Sequence, residues 1–326
     1  MLRFVLFRLM QMIFIMTGLS MVVFLIFFAT PGIDPAANIA GRGASEEVLA
    51  AVRESFGLDR PLPIQYLSMM KRMLIDQDLT SFSNRSYQVL PAILNSLPVT
   101  FSVAFGTAVI WVSVSIAFGT AAALTRGKLT DKLLMTIGLI GISMPVFWVA
   151  SVANLFTQHR YQDSWLFSWV PPLGYVPLSE DPGSWALHLI IPWITGSILY
   201  IGLYSRLLRS SLVEVYHEDF IRTARAKGLS ETRILFRHAL RTAMLPFVSL
   251  LGLDLGALIA GNTLIVELLF GLPGLGMLTF RALQSLDLPF MMTTIMYGSF
   301  FVVLLNTLVD LLYAFLDPRV KDARRN

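Results

Sequence analysis

The segment Arg206–Pro246, RLLRSSLVEVYHEDFIRTARAKGLSETRILFRHALRTAMLP, decides how the rest of the chain is read. It is a polar interval between two long apolar runs, with eight basic and four acidic residues up to Arg241. Asp219 is placed to cap a short helix whose face carries Phe220, Ala224 and, one turn on, Gly228. Gly228 suits the left-handed position that stops such a helix, and Ser230 is placed to cap the next one. Small side chains at Ala224 and Gly228 would let another protein approach the backbone, with Arg222, Arg225 and Lys227 flanking that contact. An ordinary basic loop accounts for the charge but needs neither the capped break nor the apolar face.

The apolar runs on either side belong to a set of six. A helix needs ~20 mostly apolar residues to cross the hydrocarbon core, and residues 9–30, 98–124, 133–156, 187–208, 244–268 and 290–316 meet that length. The composition agrees: of 326 residues 55% are hydrophobic and 14% charged, against about 25% charged in soluble domains. The first run follows Arg3 and Arg8 as a signal peptide would, but Leu9–Phe28 is too long for one and is read as a retained span. The chain is thus expected to be an all-α polytopic membrane protein with six transmembrane helices. Its parts are 1–30 (N-terminal end and first span), 31–97 (an outer segment) and 98–326 (a five-span core containing the loop 205–243).

Charge sets the orientation. The N-terminus, the turn 125–132, the loop 205–243 and the C-terminal tail together hold 17 of the 25 Lys and Arg residues. The positive-inside rule puts that side, and with it both termini, in the cytoplasm. Pro31-Gly32 ends the first span, and residues 45–56 and 61–74 read as two short amphipathic helices split at Gly57–Pro61, with Ser45 capping the first.

Asp254 falls in the middle of the fifth run, where an acid costs about 2.5–3.5 kcal/mol on insertion scales. It either lines a path or belongs to a satisfied interhelical pair. Gly252 and Gly256 flank it with small-xxx-small spacing, and Gly261 and Asn262 lie beyond, so this helix is expected to pack closely and Asn262 joins Asp254 as a path candidate. Asp310 is expected at the interface near Asp317 and Arg319, Glu267 to anchor the following turn, and Pro145 and Pro192 to kink their helices.

Other chemistries find no support. Without cysteine there is no disulfide or thiolate site, and His159, His188, His217 and His238 are scattered, so no metal site is expected. Gly119–Lys128 lacks the glycine spacing of a phosphate loop, and Leu129 stands where its Ser or Thr would be. His217-Glu218 lacks a zinc-protease partner histidine, and no nucleophile elbow occurs. No catalytic residue is assigned.

The stretch Glu218–Leu229, EDFIRTARAKGL, resembles the cytoplasmic coupling loop of permease subunits in binding-protein-dependent ABC importers, most closely the first permease of oligopeptide and dipeptide importers. The likeness continues in order through Asp34-Pro35, Gly57–Pro61, Gln65–Leu67, Glu267, Phe270–Gly276, Asn306, Val309–Ala314 and Asp317–Arg319. Departures exist: Arg222-Thr223 stand where the broader family has Glu-Ala, Arg241 where proline is frequent, Ile33 splits a Pro-Gly-Asp-Pro pattern, and Thr80-Ser81 replace glycine. The resemblance implies a bacterial inner-membrane location and an importer-type fold. It implies as partners a second homologous permease, two cytoplasmic ATPase subunits and an extracytoplasmic substrate-binding protein, with membrane lipid and no nucleic acid. ATP and Mg²⁺ would bind those ATPases and no cofactor would bind this chain. It also implies ATPase coupling through Asp219, Phe220, Arg222, Ala224, Arg225, Lys227 and Gly228. The family's usual cargo is short peptides, with nickel, glutathione or haem in close relatives. A stand-alone secondary transporter would show internal symmetry and several intramembrane charges. An intramembrane enzyme would show a convergent nucleophile, base or metal set.

Overall fold

Backbone polar groups cannot stay unpaired in lipid, so the apolar runs close their hydrogen bonds internally as helices. The computed structural model describes residues 2–29, 35–40, 43–84, 86–159 and 164–316. In chain order the helices are α1 (Leu2–Ala29), α2 (Pro35–Ala40), α3 (Glu46–Phe56), α4 (Leu62–Lys71), α5 (Val89–Leu124), α6 (Leu129–Ser143) and α7 (Val146–Asn154). There follow α8 (Pro182–Val215), α9 (Asp219–Ala226), α10 (Glu231–Ile234), α11 (Leu240–Ala257), α12 (Leu264–Leu269), α13 (Leu275–Gln284) and α14 (Leu288–Leu316). The all-α polytopic class read from the sequence is the observed one. The first-span stop at Pro31-Gly32, Asp34 and the tail from Asp317, together with the Asp310 side chain, lie outside the described residues.

Among the described residues, five stretches are long and apolar enough to cross a membrane as single helices: Leu9–Phe28, Val89–Leu124, Pro182–Val215, Glu231–Asn262 and Leu288–Leu308. The expected third span, 133–156, is not one straight helix. It breaks between α6 and α7 with a bend of 94°. Pro145 cannot donate a backbone hydrogen bond and drives the residue before it out of helical geometry. Met144 accordingly sits extended, at φ −87° and ψ 125°. Other boundaries move as well. The second and fourth spans extend to Val89 and Val215, and the helix entering the fifth begins at Glu231, so the loop expected at 205–243 shortens to residues 216–230.

The chain divides into two compact units that do not follow the boundaries 30/31 and 97/98. One comprises Met1–Thr100, Ile259–Leu264 and Pro273–Leu304. Its core joins Phe24 and Phe27 of α1 to Met69, Ile93, Leu275, Leu288 and Met292. Ser45 accepts the Val48 amide as the α3 cap (3.4 Å), and α3 stops at Gly57 in the left-handed region. Ser20 of α1 bonds the Tyr66 hydroxyl of α4 at 2.7 Å. The buried carboxylate of Asp287 accepts the Ser81 hydroxyl and the amides of Phe82 (3.2 Å) and Ser83 (3.3 Å), so it fixes the end of the outer segment.

The other unit comprises Phe101–Leu258, Ile265–Leu272 and Leu305–Asn326. Within it α8 is the central helix. Glycines of α5 and α6 face it at three close approaches, because without a hydrophobic drive in lipid close packing is what holds helices together. A Cβ on Gly138 of α6 would stand 3.2 Å from Gly202 Cα, one on Gly141 would stand 3.1 Å from the Ile198 carbonyl, and one on Gly119 of α5 would stand 2.9 Å from the Ser205 carbonyl. The α8 N-terminus is capped by Asp181, which accepts the Gly183 amide (2.9 Å) and the Ser184 hydroxyl (2.6 Å). Those bonds, the Ser184 hydroxyl first, hold its carboxyl below the usual carboxylate range.

Candidate functional site

The loop between α8 and α11 folds as the sequence suggests, a short helix, a break and a second helix, but two details differ. Glu218, at φ −70° and ψ 148°, occupies the position before the helix, and Asp219 is its first helical residue. Asp219 therefore caps nothing. Its carboxylate accepts Arg222 Nη1 at 3.1 Å, and its carbonyl accepts the Thr223 hydroxyl at 2.9 Å. The stop is as expected: Gly228 has φ +74°, its amide bonds the Arg225 carbonyl (2.9 Å), and the Leu229 amide bonds the Ala224 carbonyl (3.2 Å). This reciprocal pair closes the helix end with a left-handed glycine. Ser230 holds the capping position of α10 without a side-chain bond.

The second difference concerns the facing of α9. Ile221 and Ala224 turn inward, Ala224 being 6% exposed, whereas Phe220 is 42% exposed. Ile221 and Ala224 are three apart and share a face, which leaves Phe220, Arg222, Lys227 and Gly228 on the outer surface. The expected contact pair of Ala224 and Gly228 is thus divided, with Ala224 spent on seating the helix.

Arg225 is also committed within the chain. Its Nε and Nη2 donate to the two carboxylate oxygens of Glu231 at 2.7 and 3.2 Å, and its guanidinium lies 5.7 Å from the Tyr216 ring centre. The bond braces α9 against α10 across the break. Lys227, Phe220 and Gly228 remain exposed.

Of the two membrane-embedded candidates, Asp254 proves to be paired. The hydroxyl of Tyr204 on α8 donates to Asp254 Oδ2 of α11 at 2.6 Å. Tyr204 is fully buried, edge-on to Trp111 and Phe247 with ring centres 4.8 Å away in each case. Gly252 and Gly256 are buried, as their spacing requires. Asn262 is exposed and lies at a widened turn, where Gly261 departs from helical geometry before α12. Among the described residues no three His, Asp or Glu side chains converge as a metal site.

One feature escaped the sequence reading. Arg209 of α8 grips Asp131 of α6 side-on with one edge of its guanidinium, Nε to Oδ1 at 2.6 Å and Nη2 to Oδ2 at 2.7 Å. The Gly127 amide adds a third bond to Oδ2 at 2.9 Å. The Asp131 side chain is 5% exposed. The partners are 78 positions apart, so no local spacing announces them.

Residues 115–322 match the family model described as the binding-protein-dependent transport system inner membrane component, and residues 1–104 match the N-terminal model of the same systems. The chain belongs to this family. Across 318 residues this permease is 35% identical to a probable peptide ABC transporter permease protein of Sinorhizobium fredii, covering 98% of this chain and 99% of the relative. Across 325 residues it is 36% identical to a glutathione transport system permease protein of Salmonella typhimurium, with 98% and 99% covered. This permease is therefore a multi-pass inner-membrane transport subunit of an ABC importer.

Proposed function

We propose that this permease forms one half of a translocation pathway for short peptides and is driven through α9 by cytoplasmic ATPases. The observation carrying the reading is the shape of the 216–230 loop. Its short helix is seated by Ile221 and Ala224 and braced by Arg225–Glu231, and it keeps Phe220, Lys227 and the Gly228 stop in solvent. A connector needs no such braced outward face. The peptide cargo follows the name of the Sinorhizobium relative. In this reading the termini and the loop lie in the cytoplasm, a second homologous permease completes the path, two ATPases bind ATP and Mg²⁺, and an extracytoplasmic binding protein delivers the solute. Exposed Asn262, at the break ending the fifth span, is the better path-lining candidate. Asp254, held by Tyr204, serves interhelical packing.

The native absence of cysteine makes single-cysteine variants clean reporters. Cysteine at Lys227 should react with an impermeant maleimide only after the inner face is opened, and cysteine at Trp165, exposed in the segment between α7 and α8, from outside; the reverse pattern overturns the orientation. Co-purification with ATPases, followed by uptake of labelled di- to pentapeptides in vesicles, tests the function. The Salmonella relative favours glutathione as a second reading. Calorimetry on the binding protein, with peptide and glutathione side by side, decides between them.

A further inference from the structure

We propose that the Asp131–Arg209 pair is the joint that carries the movement of α9 into the membrane-spanning part of its unit. The proposal rests on reading α9 as the ATPase-facing element. Arg209 lies on the helix that leads directly into the loop, six positions before its end at Val215. Asp131 lies in the first turn of α6, immediately after the turn that closes α5. The pair therefore ties the base of the loop to a helix that the chain reaches only by a long detour.

The contacts along α6 and α8 make this tie mechanical. They run in antiparallel order: Asp131 meets Arg209, Gly138 meets Gly202, and Gly141 meets Ile198. Asp131 to Gly138 and Gly202 to Arg209 are each seven positions, so two turns, about 10 Å at 1.5 Å per residue, separate the fork from the glycine crossing. At the glycine crossing the backbones touch directly, with the Ile142 and Ile198 side chains packed against the facing glycines. In the forked guanidinium–carboxylate contact two parallel bonds fix both distance and plane. Two fixed points on one helix pair set its crossing angle, and α6 must follow when α8 tilts. The other ion pairs near the loop, Asp219–Arg222 and Arg225–Glu231, are exposed and brace α9 itself. Asp131 is buried and tied in addition to the Gly127 amide, so the joint also holds the α5–α6 turn.

The test uses the whole importer, with this chain, its partner permease, the ATPases and the binding protein, reconstituted in vesicles. Solute delivered per ATP hydrolysed is measured for wild type, Asp131→Asn, Arg209→Lys and the swap Asp131→Arg with Arg209→Asp. Assembly and ATP hydrolysis should persist in the single variants while delivery per ATP falls about tenfold, the scale of a lost coupling free energy. The swap should recover part of that loss. An unchanged ratio overturns the joint. So does a fall of hydrolysis and delivery in step, which marks a merely structural pair, or a swap no better than the singles. In the same preparations a cysteine at Lys227 is cross-linked toward the ATPase. Cross-linking with an unchanged ratio removes the joint alone, and no cross-link removes the docking reading and the joint with it.

Discussion

Two short helix–break–helix units, one in the outer segment and one in the loop, obey the same local rules and are finished differently. α3 and α9 both end at a left-handed glycine, Gly57 (φ 64°) and Gly228 (φ 74°), with the same two reciprocal amide bonds behind it. Beyond the break the outer unit is stitched by a neutral side chain: Gln65 donates to the carbonyls of Leu58 (3.0 Å) and Arg60 (2.6 Å). The loop is stitched by an ion pair, Arg225 to Glu231. Backbone grammar thus makes the shape in both places, and the choice of stitch separates a unit that only needs to stand from one that presents a charged outer face.

Substituting the two glycines should produce the largest effects and break the symmetry of the comparison. A left-handed conformation costs an L-residue about 1–2 kcal/mol, and a β-branched one suffers most. A Cβ meets nothing closer than 3.6 Å at Gly57 and nothing at all at Gly228, so backbone strain is the whole cost. Gly57→Val and Gly228→Val should lower thermal stability alike, while vesicle uptake collapses in Gly228→Val and is little changed in Gly57→Val. Equal uptake losses would deny the loop its special role.

The two faces of α9 give the next effect. Ala224→Leu forces extra volume into a seated position and should cost about 1–3 kcal/mol in unfolding experiments. Phe220→Ala, on the outer face, should leave stability unchanged and weaken co-purification of the ATPase. A stable Ala224→Leu protein with lost ATPase binding would restore the outward role first expected of Ala224.

Smaller still is the stitch itself. An exposed ion pair contributes about 0.2–1 kcal/mol and fades with salt. A double-mutant cycle of Arg225→Ala and Glu231→Ala should show that coupling shrinking between low and high salt. Gln65→Ala should show no such dependence. Smallest is the contrast of caps, charged Asp181 against neutral Ser45. Hydrogen bonds depress the folded-state pKa of Asp181. Its stabilisation is therefore present above the ordinary carboxylate pKa and lost as pH falls through the lowered one. Melting curves of Asp181→Asn should lose that acid-side slope, and those of Ser45→Ala should keep it.

Much of this architecture was legible because its causes are local. Apolar length marks the spans, and Gly57 and Gly228 mark the stops of α3 and α9 through a conformation few other residues accept. What stayed hidden was long-range or geometric. Pro145 announces a break but not an angle of 94°. The polar end of α8 looked like loop because nothing in composition separates an exposed helical turn from a connector, and the first turns of α5 carry Pro91 and precede Pro98. Ala224 faces inward because Ile221 does, and a small residue fits either face. Arg225–Glu231 are six apart across a break, a spacing that helical periodicity does not pair. Arg209 and Asp131, like Asp287 and Ser81, meet only through the fold.

The length of α8 has a geometric consequence. Its 34 residues measure about 51 Å, well beyond the ~30 Å of hydrocarbon. Taking the Gly202 crossing as a fulcrum, the arm to Val215 is about 20 Å and the arm to Pro182 about 30 Å. A tilt of about 10° on these arms would shift the loop end by about 3.5 Å and the opposite end by about 5 Å. The helix is geared: a modest push delivered at the loop emerges enlarged, and reversed in direction, at the far side.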